Sequence, residues 1–377
     1  MFAPDLQPFL PVDLPSRRRA LVLLVTAALV TSAHAAEDLP LPPNANPSLV
    51  AVAKAEGRVR VYASVDVKLA NFLIVDFEQL YPGIKVEFTT IDPAGLDSRF
   101  DKEIAQDGHS ADVLWSAAMD RQMACVARGC ALTYRSPESA SLPPWARWQD
   151  QVYATTYEPI VVVYNRRLVR SDEVPTTHAA LTTLLLQQPD RFQGKVATYD
   201  PQKTALGSLL LAVDAQRGPP FWRLAAAMGA RDLDPQSSTE TLFTRISSGQ
   251  SLIAYDILGS DAVKRAKRDP IIGVQYTTDY NLVLSRLMLI TRTAANPNAA
   301  KLWLDYVLSR RGQTQMGIAD LYPIRPDIHR EEPGLAMLRS LPGTSPIKAT
   351  PALARLTDPS RRRAFDDRWT AAMGKTK

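Results

Sequence analysis

Hydroxyl and cationic side chains recur in this sequence where a predicted strand gives way to a predicted helix. Ser64 and Ser116 each follow a strand. Lys203, Thr204 and Thr239 lie at the start of a helix. A helix N-terminus presents unpaired N–H groups and the positive end of the helix dipole, so these junctions are suited to an anion. Each side chain also has a simpler interpretation as a helix cap or an exposed lysine, and both interpretations stay open.

Arg286 interrupts an otherwise apolar run over residues 282–290. A charge in such a run is costly unless it is paired, and a guanidinium binds phosphate or carboxylate through two hydrogen bonds. Two roles therefore remain for Arg286: contact with an anionic ligand, or a structural ion pair with Glu158. Tyr157 directly precedes Glu158 in the sequence, and for this reason it is a further candidate ligand contact.

Tyr255 and Asp256 end another predicted strand. The Asp256 carboxylate could accept hydrogen bonds from sugar hydroxyls or from an amine, because an ionised carboxylate is an acceptor only. We expect both residues to contribute to the same binding site as Arg286.

Catalytic signatures are missing from the sequence. The four histidines are scattered, and the sequence contains no nucleophile motif, metal-ligand cluster or phosphate-cradling glycine loop. We therefore expect a protein that is not an enzyme and that carries no cofactor. The net charge of +5 is a mild excess, which argues against a nucleic-acid partner.

The N-terminus has the order of a secretory signal peptide. A basic cluster at 16–19 precedes an apolar run at 20–30, and Ala33 and Ala35 occupy the −3 and −1 positions of a cleavage site. The run is shorter than the roughly 20 residues that span a bilayer. We expect residues 1–35 to be removed on export to the periplasm, by the Sec or the twin-arginine route. No cysteine follows the cleavage site, so a lipid anchor is not expected.

The two cysteines, Cys125 and Cys130, are only five residues apart. An oxidising compartment permits a disulfide between them, although geometry cannot be tested on the sequence alone. Zinc is not expected, because the pair has neither a second cysteine pair nor a nearby histidine.

Alternating strands and helices must position these side chains. Removal of residues 1–35 from the 377-residue chain leaves 342, which is enough for two domains. The first half has predicted strands at 58–62, 84–88 and 111–115 with helices between them. The second half has predicted strands at 160–164, 194–198, 251–255 and 282–291. This alternation predicts an α/β fold with parallel sheets.

Five phrases of the sequence, in order, resemble periplasmic solute-binding proteins of the ferric-binding type, which serve ABC importers. They are GRVRVY at 57–62, YPGIKV at 81–86, SADV at 110–113 followed by Trp115-Ser116, YNRRL at 164–168, and the helix from Asn298 to Gln313. The resemblance extends over roughly residues 55–325.

The resemblance implies a two-lobed periplasmic binding-protein fold, type II-like, with the ligand in a central cleft. It places lobe 1 at 36–155, with 286–377 returning to it, and lobe 2 at 156–285. Two crossing strands, at 157–164 and 282–291, would join the lobes. Hinged closure around the ligand is the expected switch.

The iron ligands of that family are not repeated here. Ferric-binding members use a histidine in the first loop, where this sequence has Ser64 and Asp66. They use a glutamate after the third strand, where Ala117 stands, and a tyrosine pair that falls near Ile257 and Leu258. Iron(III) prefers hard anionic oxygen ligands, so direct iron binding of that kind is not expected.

The sequence is more similar to the branch that holds sugar-phosphate binders and the phosphoglycerate transport regulatory protein. The similarity lies at 114–120, 156–159 and 258–260. It implies capture of a small anionic solute, such as a sugar phosphate, for an ABC permease in the inner membrane. Two alternatives stay open: a ferric iron-binding receptor, and a sensing subunit for a membrane histidine kinase. A monomer is expected.

Overall fold

The computed structural model describes residues 45–328 and 338–374. The predicted signal peptide lies outside the described residues. In the described residues the strands are β1 Arg58–Ala63, β2 Lys85–Thr90, β3 Val113–Ser116, β4 Arg147–Trp148, β5 Val152–Ala154, β6 Glu158–Asn165, β7 Val196–Tyr199, β8 Asp234–Gln236, β9 Ile253–Leu258, β10 Ile272–Gln275, β11 Asn281–Leu284, β12 Leu287–Ile290 and β13 Thr344–Pro346.

The α-helices of these residues alternate with the strands over much of the chain, as predicted. They are α1 Pro47–Glu56, α2 Val67–Leu80, α3 Pro93–Asp107, α4 Met119–Ala127, α5 His178–Gln187, α6 Pro189–Phe192, α7 Ala205–Asp214, α8 Pro219–Gly229, α9 Thr239–Ser248, α10 Gly259–Arg268, α11 Pro297–Leu308, α12 Arg310–Ile318, α13 Pro351–Ala354 and α14 Pro359–Ala372. Within the described ranges, no helix has the length and apolarity needed to cross a membrane.

The first sheet has the strand order β2-β1-β3-β12-β5-β4 in the described residues. Strands β1, β2 and β3 are parallel, with Val61 opposite both Phe88 and Val113. Parallel neighbours need a crossover connection, and α2 and α3 provide it. Strand β12 runs antiparallel to β3 and β5. All four residues of β3 are buried, which accounts for its continuous apolar sequence.

The sequence of helix α2 determines where this crossover helix begins and which of its residues are buried. Asp66 caps its N-terminus by accepting a 2.8 Å hydrogen bond from the Lys68 N–H. Leu73 and Phe77 are fully buried, and the Phe77 ring packs against Trp303 and Tyr306 of α11. Phe72 and Val75 are apolar but substantially exposed. The apolar stripe of this helix is therefore wider than its buried face.

The second sheet has the order β13-β11-β6-β9-β7-β8, with β10 also pairing β6, among the residues described. Strands β7, β8 and β9 are parallel, whereas β6 runs antiparallel to β9, β10 and β11. Two sheets with flanking helices agree with the predicted α/β class.

The chain passes between the sheets at two adjacent places, residues 155–157 and 285–286. The Ser285 hydroxyl donates to the Thr156 carbonyl at 2.6 Å, and the Arg286 N–H donates to the Thr156 hydroxyl at 2.8 Å. The predicted long strand at 282–291 is therefore two strands in different sheets, with the Ser285-Arg286 pair at the break. A polar pair inside an apolar run marks this change of sheet.

The C-terminal arm, residues 338–374, contacts elements beside both sheets. Strand β13 pairs in parallel with β11 of the second sheet. Helix α13 then packs on α4, beside the first sheet, and α14 packs on α8, beside the second. Within the predicted return of 286–377 to the first lobe, β12, α11, α12 and α13 lie with the first sheet and its helices, whereas β13 and α14 lie with the second sheet. The lobe boundaries themselves stay a prediction.

Candidate ligand-binding site

A cavity of about 570 Å³, here called the central cavity, opens where the ends of β1 and β9 approach Arg286. Its walls come from the loop after β1, from Ala117 after β3, from the starts of α3 and α7, and from α10. Ligands of open α/β sheets bind outside the carboxyl ends of the strands, which is where this cavity lies.

Ser64 lies at the carboxyl end of β1 and lines the central cavity. Its hydroxyl oxygen accepts a 3.0 Å hydrogen bond from the Ala117 N–H. The hydroxyl proton of Ser64 has no acceptor among the described residues. The cap of α2 is Asp66, not Ser64. The hydroxyl is therefore oriented by the protein and keeps its donor for another group.

Arg286 forms the ion pair with Glu158, which is one of the two roles that the sequence left open, and it also lines the central cavity. Its guanidinium is buried and its Nε lies 2.9 Å from Glu158 Oε1, without the alignment of a hydrogen bond. One terminal nitrogen donates to Glu158 Oε2 at 3.4 Å, and the other donates to the Ser64 carbonyl at 3.2 Å. The same side chain lines the central cavity. Arg286 is thus a buried ion-pair partner that also presents positive charge to the cavity.

Glu158 is fully buried and accepts hydrogen bonds from two hydroxyls as well as from Arg286. The Thr156 hydroxyl donates at 2.8 Å and the Ser260 hydroxyl at 2.5 Å. A buried carboxylate needs this degree of compensation. The network fixes the guanidinium at the crossing between the two sheets.

Three further cations line the central cavity: Lys68, Lys264 and Arg268. None of them has a carboxylate partner within 4.0 Å in the part of the chain that the structure describes. The acidic residues of the lining are Asp66, which caps α2, and Asp261. With Glu158 counted as the partner of Arg286, the three cations Lys68, Lys264 and Arg268 face the two carboxylates Asp66 and Asp261, and the described lining keeps a small net positive charge.

Helix α10 brings two of these cations to the cavity. It begins directly after β9, and Asp261, Lys264 and Arg268 recur at spacings of three and four residues along one face. Gly259 permits the close approach, because a Cβ there would lie 2.5 Å from the Pro159 carbonyl oxygen of β6. Burial raises the pKa of Asp261, although Arg286 and Lys264 act in the opposite direction.

The sequence analysis did not identify Lys68, Asp261, Lys264 and Arg268 as lining residues. The last three could have been predicted, because they share one face of a helix that directly follows a buried strand. Lys68 had no distinguishing neighbour. It lies in the first turn of α2, next to the Asp66 cap, and this turn lines the central cavity.

The structure brings only Ser64 and Arg286 of the predicted contacts into the central cavity lining. Ser116 is buried, and its hydroxyl accepts from the Ala118 N–H at 3.1 Å. The Tyr157 ring packs against Trp145 and lies under the Arg339 guanidinium. Both residues sit near the crossing but outside the lining.

Lys203 and Thr204 line a neighbouring cavity instead. The Lys203 side chain is 71% exposed and pairs with Asp200 at 3.3 Å. Thr204 caps α7 by accepting from the Gly207 N–H at 3.0 Å. These positions match the exposed-lysine and capping interpretations. Thr239 hydrogen-bonds the Tyr199 hydroxyl at 2.8 Å and lines a third cavity beside α10.

Tyr255 and Asp256 lie in the interior of the second-sheet half. The Tyr255 hydroxyl donates to the buried Asp214 carboxylate, away from the central cavity. Asp256 has φ of 60° and a buried Oδ2 with no hydrogen-bond partner in the described residues. Burial and the Asp214 carboxylate raise the pKa of Asp256 well above its usual range.

Cys125 and Cys130 lie with their Cα atoms 5.4 Å apart and their sulfurs within bonding distance. This separation is typical of disulfides. The pair spans the C-terminus of α4 and the turn that follows it, and Gly129 between them has φ of 80°.

Two sheets joined by paired crossings, with a polar cavity at the strand ends, define the class of two-lobed α/β binding proteins. The chain belongs to the family of bacterial extracellular solute-binding proteins, whose model matches residues 73–337. Members of this family are exported and deliver their ligand to an ABC permease. The family and fold predicted from the sequence are therefore confirmed. The comparison with curated proteins finds no match.

Solved structures support the same assignment. The substrate-binding protein of an ABC transporter from Agrobacterium tumefaciens is 30% identical, with a TM-score of 0.75 over 84% of this chain and 94% of that one. Iron-bound HitA from Pseudomonas aeruginosa is 17% identical, with a TM-score of 0.67 over 83% and 99%. AfuA from Actinobacillus pleuropneumoniae, with fructose-6-phosphate bound, is 16% identical, with a TM-score of 0.66 over 85% and 99%.

Iron ligands are sparse in the central cavity. Its described lining contains neither tyrosine nor histidine. Among the residues described, no group of three histidine, cysteine or acidic side chains is arranged to hold a metal ion. The donor set is instead cationic and hydroxylic, which suits an anion.

Proposed function

We propose that the protein captures a small organophosphate, such as a sugar phosphate, in the periplasm and delivers it to an ABC permease in the inner membrane. The observation that carries this proposal is the cation set of the central cavity. Lys68, Lys264 and Arg268 have no ion-pair partner among the described residues, and Arg286 lines the same cavity in an orientation fixed by Glu158. Lys68 and Arg268 are exposed and Lys264 is half-buried, so water can solvate them, but their fields add to that of Arg286 and make the cavity attractive to an anion.

The chemistry favours a phosphate ester over a simple carboxylate. A phosphate carries up to two negative charges and three acceptor oxygens, which match several cations and the Ser64 hydroxyl. Asp66 and Asp261 supply acceptors at the same cavity, as the hydroxyls of a sugar require. A volume of about 570 Å³ lies in the range of small-molecule sites.

The relatives bind both kinds of cargo, because HitA was solved with iron and AfuA with fructose-6-phosphate. The cavity of this chain supports the second kind, since its cations would repel Fe³⁺ and its described lining offers iron only the carboxylates of Asp66 and Asp261, with no tyrosine or histidine. Closure of the two lobes around the solute would complete the site.

Titration calorimetry on the exported protein tests the proposal with hexose phosphates, phosphoglycerate, inorganic phosphate, the free hexose and ferric citrate. We expect binding of a phosphate ester and none of the free hexose. Lys264→Met should weaken it by about tenfold or more, because a charge-assisted hydrogen bond contributes about 1.5–3 kcal/mol. Lys267→Met is the matched control, since Lys267 lies on the same helix and pairs with Asp320 away from the cavity.

Binding of ferric citrate alone would contradict the proposal. So would equal affinities of the Lys264→Met and Lys267→Met variants for every phosphate ester that binds.

A further inference from the structure

A second cavity, of about 690 Å³, lies beside the central one and is here called the lateral cavity. Its walls are α3 and α4 on one side, the start of α7 on the other, and the C-terminal arm across one end. The two cavities adjoin each other at α3 and at α7. At α3, Pro93 lines the central cavity and Ala94 lines the lateral cavity. At α7, Leu206 lines the central cavity and Ala205 lines the lateral cavity.

The charges of the lateral cavity are almost all paired. Asp97 lies 3.7 Å from Arg121, and Asp101 lies 3.2 Å from Arg128. Across the cavity, Arg362 and Asp366 of α14 lie 3.1 Å apart, and Lys203 pairs with Asp200. These pairs neutralise each other and leave the cavity without a spare cation.

Asp120 is the exception. Its side chain lines the lateral cavity, is 4% exposed, and has an Oδ1 with no hydrogen-bond partner in the described ranges. No cation lies within ion-pair distance of it there. Burial raises the pKa of Asp120 to about 6, so the carboxylate is ionised at neutral pH. Backbone N–H groups in the first turn of α4 and the more distant Arg121 charge compensate the carboxylate in part. A ligand that supplies a positive charge at Asp120 would therefore add the pairing that a buried carboxylate favours.

The other residues that line the lateral cavity indicate which kind of positively charged ligand would pair with Asp120. No three acidic, histidine or cysteine side chains of the described chain form a metal site, and the other carboxylates are held by arginines. The neutral groups are hydroxyls, from Ser98, Ser208 and Thr357. One carboxylate with surrounding hydroxyl acceptors matches the three donors of an ammonium group.

We propose that the lateral cavity is a binding pocket for a protonated amine, with Asp120 as its counter-ion. The amine is either a separate small molecule or the amino end of the solute in the adjoining central cavity. The chemistry at Asp120 is the same in both cases. The proposal does not depend on an anion binding at Arg286.

Calorimetry in a buffer free of amines and phosphate tests the proposal with ethanolamine, 1,4-diaminobutane and phosphoethanolamine. We expect at least one of them to bind, and Asp120→Asn to abolish or greatly weaken that binding. Asp101→Asn is the matched control, because Asp101 lines the same cavity but is exposed and tied to Arg128. If Lys264→Met weakens the binding of phosphoethanolamine alone, the amine is the amino end of the solute in the central cavity. If Lys264→Met changes the affinity for none of the three compounds, the amine is a separate small molecule.

The pH dependence gives a second readout. The other charged groups of the lateral cavity lining are Asp97, Asp101, Arg121, Arg128, Lys203, Arg362 and Asp366, of which Arg121 and Asp97 act on the charge of Asp120. The amine stays protonated in this range, so affinity should rise about tenfold from pH 5 to pH 7 as Asp120 ionises, and Asp120→Asn should remove that rise. Absence of binding by all three amines, or unchanged amine affinity in a folded Asp120→Asn variant, would overturn the proposal.

Discussion

Removal of the Arg286 guanidinium should destabilise the protein far more than removal of an exposed arginine. In Arg286→Met, the fully buried Glu158 loses the one cation that pairs with it in the described part of the chain and keeps the hydroxyls of Thr156 and Ser260. Breaking a buried pair in this way costs about 3–5 kcal/mol of unfolding free energy, because one charge stays buried and uncompensated. Arg58→Met is the comparison, since the Arg58–Glu87 pair is exposed and contributes about 0–1 kcal/mol.

Urea unfolding of the solute-free protein, followed by tryptophan fluorescence, measures both variants. The double variant Arg286→Met with Glu158→Gln should recover most of the loss, because the neutral amide keeps its hydroxyl partners without a buried charge. Equal destabilisation by Arg286→Met and Arg58→Met would refute the reasoning, as would a double variant no more stable than Arg286→Met. The folded double variant then reports whether solute binding needs the guanidinium itself.

Two further predictions concern α4. Removal of the cross-link between Cys125 and Cys130, by Cys125→Ser with Cys130→Ser, should cost about 2 kcal/mol for so short a loop, and the exported protein should show no reactive thiol under denaturing conditions without reductant. Because the pKa of Asp120 is raised, the folded state holds this proton more tightly than the unfolded state, and the contribution of Asp120 to stability should fall as the pH rises from about 4 to 6. Above that range Asp120→Asn should be the more stable protein in the absence of ligand, by about 3 kcal/mol, and unfolding at several pH values checks the sign.

Much of the fold was predictable because strands and helices of this class carry local signals. The buried run of β3 and the capped, amphipathic α2 are specified by residues within a few positions of each other. The division of 282–291 into two strands was not predictable in this way. It depends on Thr156, which is distant in sequence and binds both Ser285 and Arg286.

The candidate site was predictable only in part. Whether a residue lines a cavity depends on the direction of its side chain, which the sequence does not show. Arg286 was found because a charge in an apolar run must be explained by a partner or a ligand. Tyr255 and Asp256 stand at a strand end with suitable chemistry, yet their side chains turn toward Asp214 and the interior. Lys264 and Arg268 were missed because an exposed basic helix face is usually only solvated.

The C-terminal arm changes what any movement of the two halves would involve. The crossings at 155–157 and 285–286 are hydrogen-bonded side by side, so they resemble a single narrow hinge. The arm holds both halves elsewhere, through α13 on α4 and through Phe365 and Trp369 of α14 against the aromatic residues of α8. Rotation about the hinge must therefore slide or break these contacts. The mechanical stiffness of the protein is thus set partly by aromatic packing near its last residues, which a C-terminal truncation or fusion would alter.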